Sequence, residues 1–153
     1  MSEAGTARRQ VARARGWARR LAMQALYQWQ VGGQTPEVIE AQFREDREMG
    51  NADPAYFREL LNGVSEYRAE LDAAIGRRLD RPAAQLDPVE RAVLWVAGYE
   101  LLKRHDVPYR VIINEAVDLA KQFGAEQGHR FVNGVLDRVA RDLRSVEVGE
   151  FER

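Results

Sequence analysis

The chain has no cysteine, two histidines (His105 and His129), three serines (Ser2, Ser65 and Ser145) and two lysines (Lys103 and Lys121) in 153 residues. Without cysteine there are no disulfides and no thiolate zinc sites, which suits a reducing, cytoplasmic location. Two histidines are too few for an imidazole-built metal centre, and each is expected at a helix end or on the surface. Two of the serines lie near the chain ends, and none sits in a nucleophile-elbow pattern. No glycine-rich phosphate loop of either common type is present. No apolar run reaches the ~18 residues of a membrane span, so no membrane association is expected. The arginines near the N-terminus have no apolar core behind them, so they do not read as a secretory signal. No segment alternates apolar and polar residues long enough to be a strand. These absences leave no catalytic residue, metal site or cofactor to expect, and the chain reads as not an enzyme.

Hydrophobic residues make up 45% of the chain, enough for a core, and charged residues 31% with a net charge of −1. That near-neutrality hides an asymmetry. Residues 1–20 hold Arg8, Arg9, Arg13, Arg15, Arg19 and Arg20 against Glu3 alone, about +5, so the remainder carries about −6. A basic arm on an acidic body points to a polyanion met by one end of the molecule. Several cations at a helix N-terminus oppose the helix dipole, which suggests that a partner supplies negative charge there.

The apolar spacing predicts helices throughout. The first spans about 7–30 on the stripe Ala14, Ala18, Leu21, Ala25 and Leu26, and Gly32-Gly33 ends it. Thr35-Pro36, Asp53-Pro54 and Asp87-Pro88 each combine an N-cap with a proline at the first helical position. The second helix carries Val38, Ile39 and Phe43. A long third helix carries Phe57, Leu60, Leu61, Val64 and Leu71 and ends near Gly76. The next runs from Val89 to about Arg104 with Val93, Val96, Ala97 and Leu101 inward, and Val107-Pro108 stops it. Two more follow, one from Pro108 to Gly124 and one from Gln127 to Leu143. The fold expected is all-α: about seven helices in two packed bundles, 1–80 with the arginine-rich arm and 81–144, behaving as one compact domain. Residues 145–153 read as an acidic, disordered tail.

The basic arm carries the functional reading. Arg15 and Arg19 are one turn apart and share a face, with Arg13 and Arg20 beside them. Trp17, Gln24 and Tyr27 follow. Charge, a planar amide and a stacking ring are the means by which single-stranded RNA is read. A solvated arm with Tyr27 half-buried is the plainer alternative.

At this point the residues resemble a known family. RRLAMQALYQWQ at 19–30, YFRELLNGV at 56–64, PVERAVLWVAGYELLKRHDVPYRVIINEAVDLAKQFG at 88–124 and GAEQGHRFVNGVLDRVARDL at 124–143 resemble the NusB transcription antitermination factors, in order and spacing, over about 13–143. The resemblance implies binding of the boxA element of nascent ribosomal RNA together with NusE, the small-subunit ribosomal protein, in an antitermination complex with RNA polymerase. It implies that Arg13, Arg15, Arg19 and Arg20 meet phosphates, that Gln24 and Tyr27 lie near RNA, and that Phe131 and Asn133 contact a base. It places Glu90 at the NusE interface, with Arg91 and Trp95 beside it.

Other roles stand next to these. Phe131 also fits a core position, and Glu90 suits a helix N-terminus without any partner. Asn133-Gly134 inside a helix costs about 1 kcal/mol relative to alanine, which a close approach of backbone or RNA would justify. The sequence departs from the family pattern where Gly16 and Trp17 interrupt the basic run, where Gln127 replaces a common acid, and where Trp95 replaces a common arginine. Trp95 lies roughly opposite Val93 and Val96 and is expected to be exposed, an anchor for NusE. The competing functions are a helical protein–protein adaptor without RNA binding, a DNA-reading helix-turn-helix, and a fragment of a ribosomal RNA methyltransferase. The last needs an α/β domain with a glycine-rich loop, which these residues do not contain.

Overall fold

Short polar side chains set the helix starts in the computed structural model, which describes residues 2–153. Ser2 Oγ accepts the Gly5 amide at 3.1 Å and starts α1 (Glu3–Gly32), four residues before the expected onset. Gly33 ends it at φ 70°, a left-handed position that glycine occupies without strain. Thr35 caps α2 (Pro36–Arg44), Asp53 caps α3 (Pro54–Glu66) and Asp87 caps α5 (Pro88–Lys103), each with the expected proline at the start of the helix.

The expected long third helix is two helices. At Tyr67, φ −100° and ψ 18°, the chain bends between α3 and α4 (Arg68–Gly76). The i→i−4 bonds Tyr67 N–H to Gly63 O and Leu71 N–H to Tyr67 O persist through the bend, both at 2.9 Å. The Tyr67 ring packs against that of Tyr99 on α5, centroids 6.4 Å apart, with Lys103 Nζ 4.1 Å from its centre. α6 (Tyr109–Phe123) and α7 (Gly128–Leu143) follow. The expected disordered tail is instead α8 (Ser145–Glu152), seated through buried Val148 and Arg144. With the third helix split and α8 added to the six helices placed in the sequence, the described residues form eight α-helices, against the seven or so expected.

α5 is the central element. Every residue from Ala92 to Leu101 is buried, and α1, α3, α4, α6 and α7 all pack on it. One core runs from Ala18 through α5 to Val148, continuous across the expected boundary near residue 80. The α3–α5 crossing depends on Gly63, because a Cβ there would stand 2.3–2.9 Å from three atoms of the Tyr99 ring. Gly63→Ala is therefore expected to cost about 1–3 kcal/mol through overpacking. An unchanged urea midpoint would show that the crossing gives way without strain.

Candidate nucleic-acid interface

The first three turns of α1 stand clear of the core. Residues from Ser2 to Arg13 are exposed apart from half-buried Gly5, and Val11 is 53% accessible. From Ala18 onward the same helix is packed into the core. The arginines therefore divide by position along one rigid element.

On the side facing α6, Arg13, Gly16, Trp17 and Arg20 form one wall of a groove of about 260 Å³, with Glu115, Asp118, Leu119 and Gln122 opposite. The Arg20 guanidinium lies 5.1 Å from the Trp17 ring centre and 5.0 Å from that of Phe123. Its Nη1 donates to Gln122 Oε1 at 3.4 Å, while its Nε is buried without a partner. Aromatic faces thus position this cation without neutralising it. Arg8, Arg9, Arg13 and Arg20 form no ion pair among the described residues, unlike Arg15 and Arg19.

On the other side, Arg15 is half-buried. It lies 4.7 Å from the Tyr56 ring centre and 3.7 Å from Asp106, so it shares a face with Arg19 as expected. Arg19 is the correction. Its side chain is 4% accessible and bound through Nε and Nη2 to both oxygens of Glu100, at 2.8 and 2.9 Å, with Glu115 3.6 Å from Nη1. Glu100 also accepts the Tyr56 hydroxyl at 2.5 Å. Burial, then the charge of Glu100 and this bond, push the Tyr56 phenol well above its ordinary range. Arg19 joins α1 to α3 and α5 and is not available to a phosphate.

The surface continues from Arg20 and Phe123 to an apolar hollow of Met23, Gln24, Tyr27, Val89 and Phe123, with Tyr27 40% accessible. Beyond Val89, Glu90 turns toward the start of α7, where a Cβ on Gly128 would come within 2.7 Å of its Oε1. Burial, then the neighbouring Asp87, raise the Glu90 carboxyl above its ordinary range against the pull of Arg81. Arg81 also lies 5.4 Å from the ring centre of Phe131, which is half-buried against the core. Asn133 is exposed. At Gly134 a Cβ would meet only the end of the Arg138 side chain, at 3.8 Å, so no backbone within the chain requires glycine there.

The expected partner set Glu90, Arg91 and Trp95 divides. Trp95 is 1% accessible, which overturns its reading as an exposed anchor. Its Nε1 donates to Asp72 at 2.8 Å and Arg91 Nη2 reaches the same carboxylate at 3.1 Å, on the α4 side of α5, away from Glu90. The sequence reading also missed Arg81, Phe123 and Gln122. Nothing local to Phe123 in the sequence indicates that Arg20 lies over its ring.

An exposed arginine helix running into an aromatic-lined groove, on an all-helical body, is the arrangement of a candidate polyanion-binding module. Residues 17–141 match the model of the NusB family. The chain is 55% identical over 136 residues, 89% of its length and 82% of the relative's, to the transcription antitermination protein NusB of Pseudomonas savastanoi pv. phaseolicola. Its fold is similar to T. maritima NusB, with TM-score 0.73 and 32% identity over 84% of this chain and 91% of that one. It is also similar to a chain in the crystal structure of antitermination factors NusB and NusE in complex with dsRNA, with TM-score 0.71 and 27% identity over 85% and 98%. The chain belongs to the NusB family.

Proposed function

We propose that this protein is a cytoplasmic, RNA-binding antitermination factor that holds boxA RNA together with NusE and promotes processive transcription by RNA polymerase, without catalysing a reaction. The observation that carries this reading is Arg20, held between the Trp17 and Phe123 rings with no carboxylate partner, beside exposed Arg13. Arg13 and Arg20 meet phosphates, with Arg15 contributing from its flank. Gln24, Tyr27, Phe131 and Asn133 supply amide and ring contacts to bases, and Glu90 with Arg81 lies where NusE approaches. Two of the polar groups of the kind catalysis uses, Ser2 and His105, make local contacts at helix ends. Ser2 caps α1, and His105 Nε2 sits 3.0 Å from the Leu102 carbonyl at the end of α5. No helix is long and apolar enough to cross a membrane among the described residues.

The test is a titration of fluorescent boxA RNA against the protein, with and without NusE, at two salt concentrations, beside a scrambled RNA. Binding is expected to tighten with NusE, to favour boxA and to weaken steeply with salt. Arg20→Ala is expected to lower affinity about tenfold and to flatten the log–log salt slope by roughly 0.7, the loss of one single-strand phosphate contact. A protein that binds NusE but no RNA at either salt concentration would be a protein adaptor.

A further inference from the structure

Away from the arginine arm, α1, α4 and α5 enclose a second cavity of about 210 Å³ lined by Trp29, Gln30, Arg68, Arg91 and Trp95. The two indoles pack with ring centres 5.7 Å apart. Arg91 lies 4.5 Å from the Trp95 ring centre, and Arg68 lies 5.4 Å from that of Trp29 and 6.0 Å from that of Trp95. One carboxylate serves both guanidiniums. Asp72 accepts the Trp95 N–H at 2.8 Å and Arg91 Nη2 at 3.1 Å, while Arg68 Nε stands off at 3.8 Å. The site therefore has one positive charge in excess. The Arg68 side chain, 51% accessible, presents that charge to solvent, and Arg91, whose Nε is buried without an acceptor, lines the cavity wall.

We infer that this cavity is a binding site for a carboxylate side chain of a protein partner, received by Arg68 and Arg91 above the Trp29–Trp95 pair. A second carboxylate would complete the arrangement that Asp72 begins, each acid bridging a guanidinium and the indole floor. The cavity admits one side chain. Exposed Glu66 and Glu70 flank Arg68 along the chain, so the surroundings repel a phosphodiester backbone and favour an acid set among basic residues. The inference is independent of the RNA reading, because none of the arginines proposed to bind RNA lines this cavity.

The probe is the blocked peptide acetyl-Lys-Glu-Lys-amide, with acetyl-Lys-Gln-Lys-amide, inorganic phosphate and a short oligouridine as comparisons at matched ionic strength. The readout is the set of indole N–H signals in a ¹H–¹⁵N spectrum, one for each of the three tryptophans. The acidic peptide is expected to move the Trp29 and Trp95 signals saturably and leave Trp17 in place, and the glutamine peptide to move none. Arg68→Ala, at an exposed position that does not endanger the fold, is expected to weaken the response about tenfold through loss of a charge-assisted hydrogen bond. Equal shifts with the glutamine peptide, an unchanged response in Arg68→Ala, or stronger shifts of Trp29 and Trp95 with phosphate or oligouridine would each overturn the proposal. An effect of oligouridine confined to Trp17 supports it, since the two sites then respond separately.

Discussion

Arg144→Ala is expected to lower the unfolding free energy by about 3–5 kcal/mol, seen as a drop of roughly 10 °C in melting temperature for a chain of this size. The Arg144 side chain is 2% accessible, and all five of its N–H groups are used. Nε donates to Leu101 O, Nη2 to Glu100 O and Arg104 O, and Nη1 to Val107 O and Glu147 Oε1, all between 2.7 and 2.9 Å. Leu101 belongs to the last turn of α5, where carbonyls lack a partner further along the helix, and the Glu100 carbonyl, which also accepts the Arg104 amide at 2.9 Å, lies beside it. One guanidinium thus closes the end of α5 and fixes the α5–α6 turn that carries Asp106 toward Arg15.

Glu147 completes the clamp by accepting the Tyr109 amide at the start of α6, at 2.9 Å. Burial pushes the Glu147 carboxyl up, but the bonds from Tyr109 and Arg144 outweigh it and hold it below its ordinary range. A carboxyl depressed in the folded state contributes its stability in full above the ordinary carboxylate range and loses it as pH falls through the depressed value. The Arg144 clamp should therefore loosen in acid. Arg144→Lys keeps the charge but not the planar fork, so it should restore little of the loss. A urea midpoint for Arg144→Ala equal to the parent protein's would mean that water serves these carbonyls as well as the guanidinium does.

How far the fold could be read follows from the range of each cause. The caps at Thr35, Asp53 and Asp87 act over two or three residues, so sequence alone located three helix starts. α8 was missed because its anchor works at long range: Arg144 reaches carbonyls 37 to 44 positions earlier. The local signs were the Arg144–Glu147 spacing and apolar Val148, set in a stretch whose acidic composition resembled a frayed end. Trp95 was misplaced for a related reason. A helical wheel puts it opposite Val93 and Val96, which implies exposure only for a helix with a solvent face. α5 has none between Ala92 and Leu101, and Asp72, 23 residues away, takes the indole N–H. In the candidate site, Arg13, Arg20, Gln24 and Tyr27 were legible because they follow one another on a single helix. Their neighbours Phe123 and Arg81 are brought in by the fold.

Arg19→Met is expected to cost about 3–5 kcal/mol as well, since it leaves the Glu100 carboxylate buried without its counter-charge. Residue type cannot separate Arg19 from the five other arginines of the arm. The separation comes from Glu100, 81 positions away, and from Tyr56, whose hydroxyl also binds that carboxylate. Glu100→Gln should be costly for the complementary reason, because it leaves a buried guanidinium facing a neutral amide. The double variant Arg19→Met/Glu100→Gln removes both charges and should lose much less than the two single losses combined, the non-additivity expected of groups in direct contact. RNA titration of the same variants separates structure from recognition. Arg13→Ala should lose RNA affinity with its melting temperature intact, because Arg13 is exposed and forms no ion pair among the described residues, and Arg20→Ala should lose RNA affinity with only a small fall in melting temperature from its contacts with Trp17, Phe123 and Gln122. Arg19→Met should lose stability first, with any folded fraction binding RNA on the parent protein's salt slope. A stable Arg19→Met protein with a flattened slope would return Arg19 to the RNA surface and make Glu100 its resting partner in the free protein.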